Sequence, residues 1–180
     1  MIEKLREVGL IRFEGAKEFL SEVPLNQATI DAMAFPENGL SLVSQFLGES
    51  IEAEKLNSSN YVSLVSKRRL VCRASRKYIE GTKQFYWYGF TPQNSEHLKQ
   101  GEESSVVFCC GSENIVVVFP FEIFSPLLEN MKTSPKKGSE KPLRHYHVRI
   151  YEEGNTLLLE QWNELPNLDI TRFLLSADNI

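Results

Sequence analysis

The sequence has little of what marks a secreted, disulfide-stabilised or membrane-spanning protein. Its 180 residues include three cysteines, and two of them, Cys109 and Cys110, are neighbours. A disulfide between these two is disfavoured because consecutive residues of a strand point to opposite faces. No apolar run approaches the ~20 residues of a membrane span, and the first residues lack the apolar core of a signal peptide. These absences predict a soluble cytoplasmic protein with reduced, buried thiols and no membrane partner.

Motifs of common catalytic and phosphate-binding sites are also missing. The GSE at 111–113 lacks the glycine-rich pattern of a phosphate loop, and no serine stands in a nucleophile elbow. The HYH at 145–147 is the nearest approach to a catalytic pair, because His145 and His147 share one face of a strand. A catalytic metal needs at least three protein ligands, and no third candidate stands at a diagnostic spacing. We therefore predict no metal and no cofactor, and the two histidines stay candidates for acid–base chemistry or phosphate contact.

The apolar pattern predicts an α+β fold. Helical spacing and proline or glycine stops indicate a helical N-terminal region over 1–56, whose last helix ends at Gly48. From 61 onward the pattern indicates a mainly antiparallel sheet of about six strands in three hairpins, with two interleaved helices. The hairpins are 69–75 with 85–90 across a polar turn, 105–110 with 115–119, and 143–151 with 156–161; the helices are 92–99 and 121–131, and a short helical turn follows within 168–175. We expect the sheet domain, 61–180, and the helical region to form one compact unit.

Positive charge is concentrated in two segments of a chain whose formal net charge is −4. Residues 67–77 hold six basic side chains and no acidic one, and 132–149 holds six against Glu140. Clustered cations repel one another unless an anion neutralises them, so the two segments predict an anion-binding face. The predicted phosphate contacts are Arg68, Arg69, Arg73, Arg76 and Lys77 from the first segment, and Lys136, Lys137 and Arg144 from the lysine-rich loop and its flank. An alternative is a solvated edge strand whose charge blocks aggregation.

The FYWYGF at 85–90 places five aromatic rings in six positions. Rings on an exposed strand face can stack on unpaired bases, whereas rings on the buried face fill a core. Alternation along the strand requires one face to enter the core, so core packing is favoured for most of them. Trp87 or Tyr88 is expected to be exposed, and Trp87 is added to the predicted nucleic-acid contacts.

Residues 60–124 resemble the layout of the PD-(D/E)xK nucleases. LVCRAS at 70–75 occupies the place of the strand that carries the (E/Q)xK motif, and IVVVFPFEIF at 115–124 resembles the closing strand. Cys72 stands where that family has a metal-binding Glu or Gln, and 60–66 contains no aspartate. The resemblance therefore implies a nuclease-like fold that serves as a binding module. Residues 61–175 also resemble bacterial proteins found with restriction-modification systems.

The sequence predicts a nucleic-acid-binding protein of a bacterial restriction or defence system, with DNA favoured over RNA as the partner. One alternative is a metal-dependent phosphodiesterase or nuclease that uses His145 and His147, and only this alternative calls for Mg²⁺. Another is a non-catalytic protein-interaction subunit whose basic face meets an acidic partner. Homodimer formation stays open.

Overall fold

The computed structural model describes residues 39–54, 59–111, 115–134, 145–162 and 164–175. Within these residues the fold is α+β, as predicted, and its strands form two mainly antiparallel sheets. The helices predicted before residue 35 lie outside the described residues. The helix predicted to end at Gly48 is confirmed over 39–47 and is named α1; Gly48 has the positive φ of a residue that ends a helix.

The first sheet contains two largely apolar strands, Ser105–Cys110 and Val116–Pro120. Its order is β1 (Ile51–Ala53), β2 (Asn60–Ser63), β3 (Arg69–Ser75), β6 (Ser105–Cys110), β7 (Val116–Pro120) and β12 (Leu174–Leu175). β3 runs parallel to β6, and the other pairs of this sheet are antiparallel. Every residue of β6 is buried, as expected for a central strand covered on both faces.

The second sheet contains the aromatic strand and the strand with the two histidines. Its order is β11 (Leu168–Asp169), β10 (Thr156–Leu159), β9 (His145–Glu153), β5 (Lys83–Phe90) and β4 (Lys77–Glu80), with β8 (Thr133–Ser134) also paired to β9. The hairpin predicted between 69–75 and 85–90 across a long polar turn is wrong, because β3 belongs to the first sheet and β5 forms its hairpin with β4. Glu80 pairs with Lys83, so the turn is two residues long, and Gly81 supplies the positive φ that it requires.

The main core lies between the two sheets and follows the alternation of their strands. Tyr86, Tyr88 and Phe90 of β5 face it, so of the two rings proposed for exposure Tyr88 is buried and Trp87 is the partly exposed one. The opposite face of the first sheet is covered by α1, where Leu40 and Val43 pack beside Cys72 and Cys109. Cys109 and Cys110 therefore enter different cores, as predicted, and all three cysteines are buried and outside any disulfide.

Two short helices complete the described fold. α2 (Pro92–Leu98) begins at a capping box formed by Thr91 and Asn94 and packs against β3. The helix predicted over 121–131 is α-helical over Phe121–Phe124 (α3) and continues as a 3₁₀ turn over Ser125–Asn130, where Pro126 removes an N–H donor. The predicted turn near the C-terminus is a 3₁₀ turn at Thr171–Phe173 between β11 and β12. Among the described residues, no helix has both the length and the apolar content to cross a membrane.

Candidate nucleic-acid interface

Three of the predicted phosphate contacts form ion pairs within the protein. Arg68 pairs with Glu103, Arg69 with Glu54, and Lys77 with Glu152, the last at 2.7 Å. The side chains of Arg68 and Arg69 are about one fifth exposed. A cation whose charge is already met by a carboxylate gains less from a phosphate, so these three residues are poorly placed to provide the interface.

Arg69 and Arg73 share one strand face, as predicted, but that face lies against α2. Arg69 Nη1 lies 3.1 Å from Nδ1 of His97, a buried residue of α2 whose Nε2 donates to backbone carbonyls. Arg73 Nη2 donates to Oδ1 of Asn94, also on α2, at 3.0 Å. These two arginines therefore do not extend the surface formed by the second sheet.

The outer face of the second sheet brings together one residue from each basic segment. The Arg76 guanidinium lies 4.9 Å from the centroid of the Tyr78 ring, which stacks on Phe85 at 5.5 Å. The Arg149 guanidinium lies 4.9 Å from the centroid of the same Phe85 ring. Two cations from segments distant in the sequence thus cover one aromatic stack, at the separation of favourable cation–π contacts.

A hydrogen-bonded group of three side chains lies farther along the same face. Trp87 Nε1 donates to Nδ1 of His147 at 3.0 Å, and Nε2 of His147 is bonded to the hydroxyl of Ser134. Because the indole can only donate, Nδ1 accepts, and the neutral ring carries its proton on Nε2. In this state neither nitrogen of His147 offers a lone pair to a metal ion.

The environment of His147 favours its neutral form. Burial is the largest effect, and the nearby His145, Lys132 and Arg149 add to it; together they lower the pKa of His147 below its usual value. Glu160 acts in the opposite direction. His145 is on the same face, as predicted, with its ring centroid 4.9 Å from that of His147 and 5.9 Å from that of Trp87.

We name this surface the open face. It consists of Arg76, Tyr78, Glu80, Lys83, Phe85, Trp87, Gly89, Lys132, Ser134, His145, His147, Arg149, Tyr151, Glu153, Glu160 and Trp162. Three of its cations, Lys83, Lys132 and Arg149, were not among the predicted site residues. The alternation of 145–151 could have indicated Arg149, because it places this residue on the face of the two histidines.

Other predicted features are outside the described residues or are not found in them. Lys136, Lys137 and Arg144 lie outside the described residues. In the part of the chain that the structure describes, no group of three or more His, Cys, Asp or Glu side chains could hold a metal ion. Compared with family models, curated proteins and solved structures, the chain matches none of them.

Proposed function

We propose that this protein binds nucleic acid across the open face. Unpaired bases stack on Trp87 and its neighbouring rings, and Arg76, Lys83, Lys132 and Arg149 contact the phosphates. The observation that supports this best is the association of cations with aromatic rings on one partly exposed sheet face. Lys132 lies 4.9 Å from the Trp162 centroid, and Lys83 lies 5.6 Å from that of Tyr151. Sheet faces of this composition bind single strands through stacking and backbone charge.

The charges of the open face are largely available to a ligand. Arg149 lies 3.8 Å from Glu80 and 3.9 Å from Glu160, separations at the outer limit of an ion pair. Arg76 and Lys83 are exposed. This contrasts with Arg68, Arg69 and Lys77, whose carboxylate partners are close. We therefore assign the phosphate contacts to the cations of the open face rather than to Arg68, Arg69 and Lys77.

A single strand fits the open face better than a duplex does. Trp87 contributes its ring to the face rather than to the core, and a paired base could not stack on it without leaving its own helix. The preference for DNA and the restriction or defence role rest on the sequence resemblance, and both are part of the proposal.

Binding of labelled oligonucleotides tests the proposal. Fluorescence anisotropy at about 50 mM salt, where phosphate contacts are strong, should show binding to single-stranded DNA or RNA in preference to duplex. Trp87→Leu removes a stacking ring and should weaken binding by about 5- to 100-fold. Lys83→Gln removes one open-face charge, and Lys99→Gln is its matched control because Lys99, the residue that follows α2, pairs with Glu96 of that helix and is not part of the open face.

Two results would contradict the proposal. One is the absence of binding to any of the oligonucleotides at low salt. The other is an equal loss of affinity in Lys83→Gln and Lys99→Gln, which would mean that the position of the charge does not matter.

A further inference from the structure

Arg73 differs from Arg68, Arg69 and Lys77, each of which pairs with a carboxylate, because among the described residues no carboxylate meets its charge. Its Nη2 donates to Asn94, and its Nε is buried without any hydrogen-bond partner. Arg68 also has an unpartnered Nε, but Glu103 neutralises its charge. Burial lowers the pKa of Arg73, the direction expected for a guanidinium that has lost water without gaining an anion.

The contact with Asn94 does not explain why an arginine is present. Asn94 Oδ1 also accepts hydrogen bonds from the backbone N–H of Thr91 at 3.0 Å and from its hydroxyl at 2.9 Å. Asn94 Nδ2 donates to Asn60 at 3.0 Å. The amide is therefore held in place without Arg73. An uncompensated, partly buried charge costs stability, and such a cost is expected where a residue serves binding.

We propose that Arg73 forms an anion site that takes a phosphate group. A guanidinium presents several N–H donors in a plane that matches an oxyanion, and one that lacks a carboxylate is ready to accept it. The strand that carries Arg73 contacts the second sheet: Ser75, one strand repeat or ~7 Å along β3 from Arg73, accepts a hydrogen bond from the Trp87 backbone N–H at 2.9 Å. The phosphate is either a free phosphate or the terminal phosphate of a bound strand, and only the second source rests on the proposed function.

Thermal unfolding of the full chain in phosphate, against chloride at equal ionic strength, tests the site. At phosphate about ten times its dissociation constant, the melting temperature of the unmodified protein should rise by about 3–5 °C. Arg73→Met keeps an unbranched side chain as far as the position of Nε and removes the charge, so it should abolish the rise. Without phosphate, Arg73→Met should melt at the same temperature as the unmodified protein or higher, because a buried uncompensated charge has been removed. Arg172→Met is the matched control, since Arg172 is exposed, and it should retain the rise.

Each remaining result decides against the site. No rise in the unmodified protein, or an equal rise in Arg73→Met, would mean that phosphate does not bind at Arg73. A large loss of stability in Arg73→Met without phosphate would assign Arg73 a structural role. If that variant does not fold, Arg73→Lys keeps the charge without the planar fork, and its phosphate-induced rise should be smaller; an unchanged rise would overturn the proposal.

Oligonucleotides with a 5′-phosphate or a 5′-hydroxyl separate the two sources. A strand end as the source predicts tighter binding of the phosphorylated oligonucleotide and loss of that difference in Arg73→Met. Free phosphate as the source predicts the thermal rise with no such difference. A protein that shows the thermal rise but binds no oligonucleotide would retain the Arg73 site and lose the proposed function.

Discussion

The neutral state of His147 follows from what surrounds its ring. Protonation would place an N–H at Nδ1 directly opposite the N–H of Trp87, so that two donors would face each other. Lys132 and Arg149 would then repel the added charge. The open face therefore contains an imidazole that helps to fix the indole rather than a cation that attracts phosphate.

This state predicts how stability depends on pH. The pKa of His147 is lowered in the folded protein, so below about 6.5, the usual value for histidine, the unfolded chain binds more protons at this position. The contribution of His147 is complete above that pH and is lost as the pH falls through the lowered folded value. His147→Asn keeps an acceptor for Trp87 without titrating, and should reduce the loss of stability as the pH falls below about 6.5.

Urea unfolding at several pH values measures this dependence. His145→Asn is the control for the neighbouring histidine. An identical pH profile in His147→Asn and the unmodified protein would show that His147 does not contribute to it.

The sequence predicted which side chains share a face of a strand better than it predicted which carboxylates the basic side chains pair with. The shared face of His145 and His147, and that of Arg69 and Arg73, follow from the twofold repeat of a strand. The acidic partners of the cations do not follow from any local pattern, because Glu54 and Glu103 lie 15 and 35 residues from the arginines they meet. Neutralisation of the basic segment thus became visible only in the folded chain.

Among the elements, the buried strands were predicted well, whereas β1, which lies in the region predicted to be helical, β2 and the charged edge strand β4 were missed. β3 and β6 have the predicted bounds: β6 is an almost continuous apolar run, and in β3 the apolar residues 70–72 lie between basic residues that mark its ends. β4 was assigned to a turn because its residues are mostly polar, and its Ile79 is 73 % exposed. As an edge strand it is held by hydrogen bonds to β5 rather than by burial, so its composition gives little signal.

The packing of α1 on the first sheet depends on the absence of a side chain at Gly39. A Cβ at this position would overlap Sγ of Cys109. Gly39→Ala should therefore cost about 1–3 kcal/mol of unfolding free energy, although alanine has the higher helix propensity. Cys109→Ala removes the overlapping sulfur, and the double variant should be more stable than the sum of the two single changes implies.

Chemical denaturation of the four proteins of this cycle measures the coupling. Ser41→Ala, at an exposed position of the same helix, should change stability by less than about 0.5 kcal/mol. Strictly additive single changes would show that Gly39 and Cys109 do not interact.

At the scale of the whole molecule, the fold class was predictable and the division into two sheets was not. Periodicity shows which face of a strand is buried, but it does not show which strand lies beside it. The parallel pairing of β3 with β6 joins strands separated by a hairpin and a helix, and nothing in either strand indicates it. The location of the open face depends on this topology.

The combined charge of the open face predicts a salt dependence. If Arg76, Lys83, Lys132 and Arg149 each neutralise one phosphate, the slope of log affinity against log salt for a single strand should be about −3. Affinity should then fall about 50-fold between 50 and 200 mM salt. Lys83→Gln should reduce the slope by about 0.7, and Trp87→Leu should lower affinity at an unchanged slope. A slope near zero would mean that phosphate contacts do not contribute.

The strand that runs from Arg69 to Glu80 leaves one sheet and enters the other with Arg76 alone between its two parts. Both sheets therefore depend on the same short length of backbone for a member strand. A cut of the chain at Arg76 would divide the first sheet, because β1 to β3 precede this residue and β6, β7 and β12 follow it. The core lies between the two sheets, so loss of either sheet would expose it. We therefore expect the two sheets to unfold together.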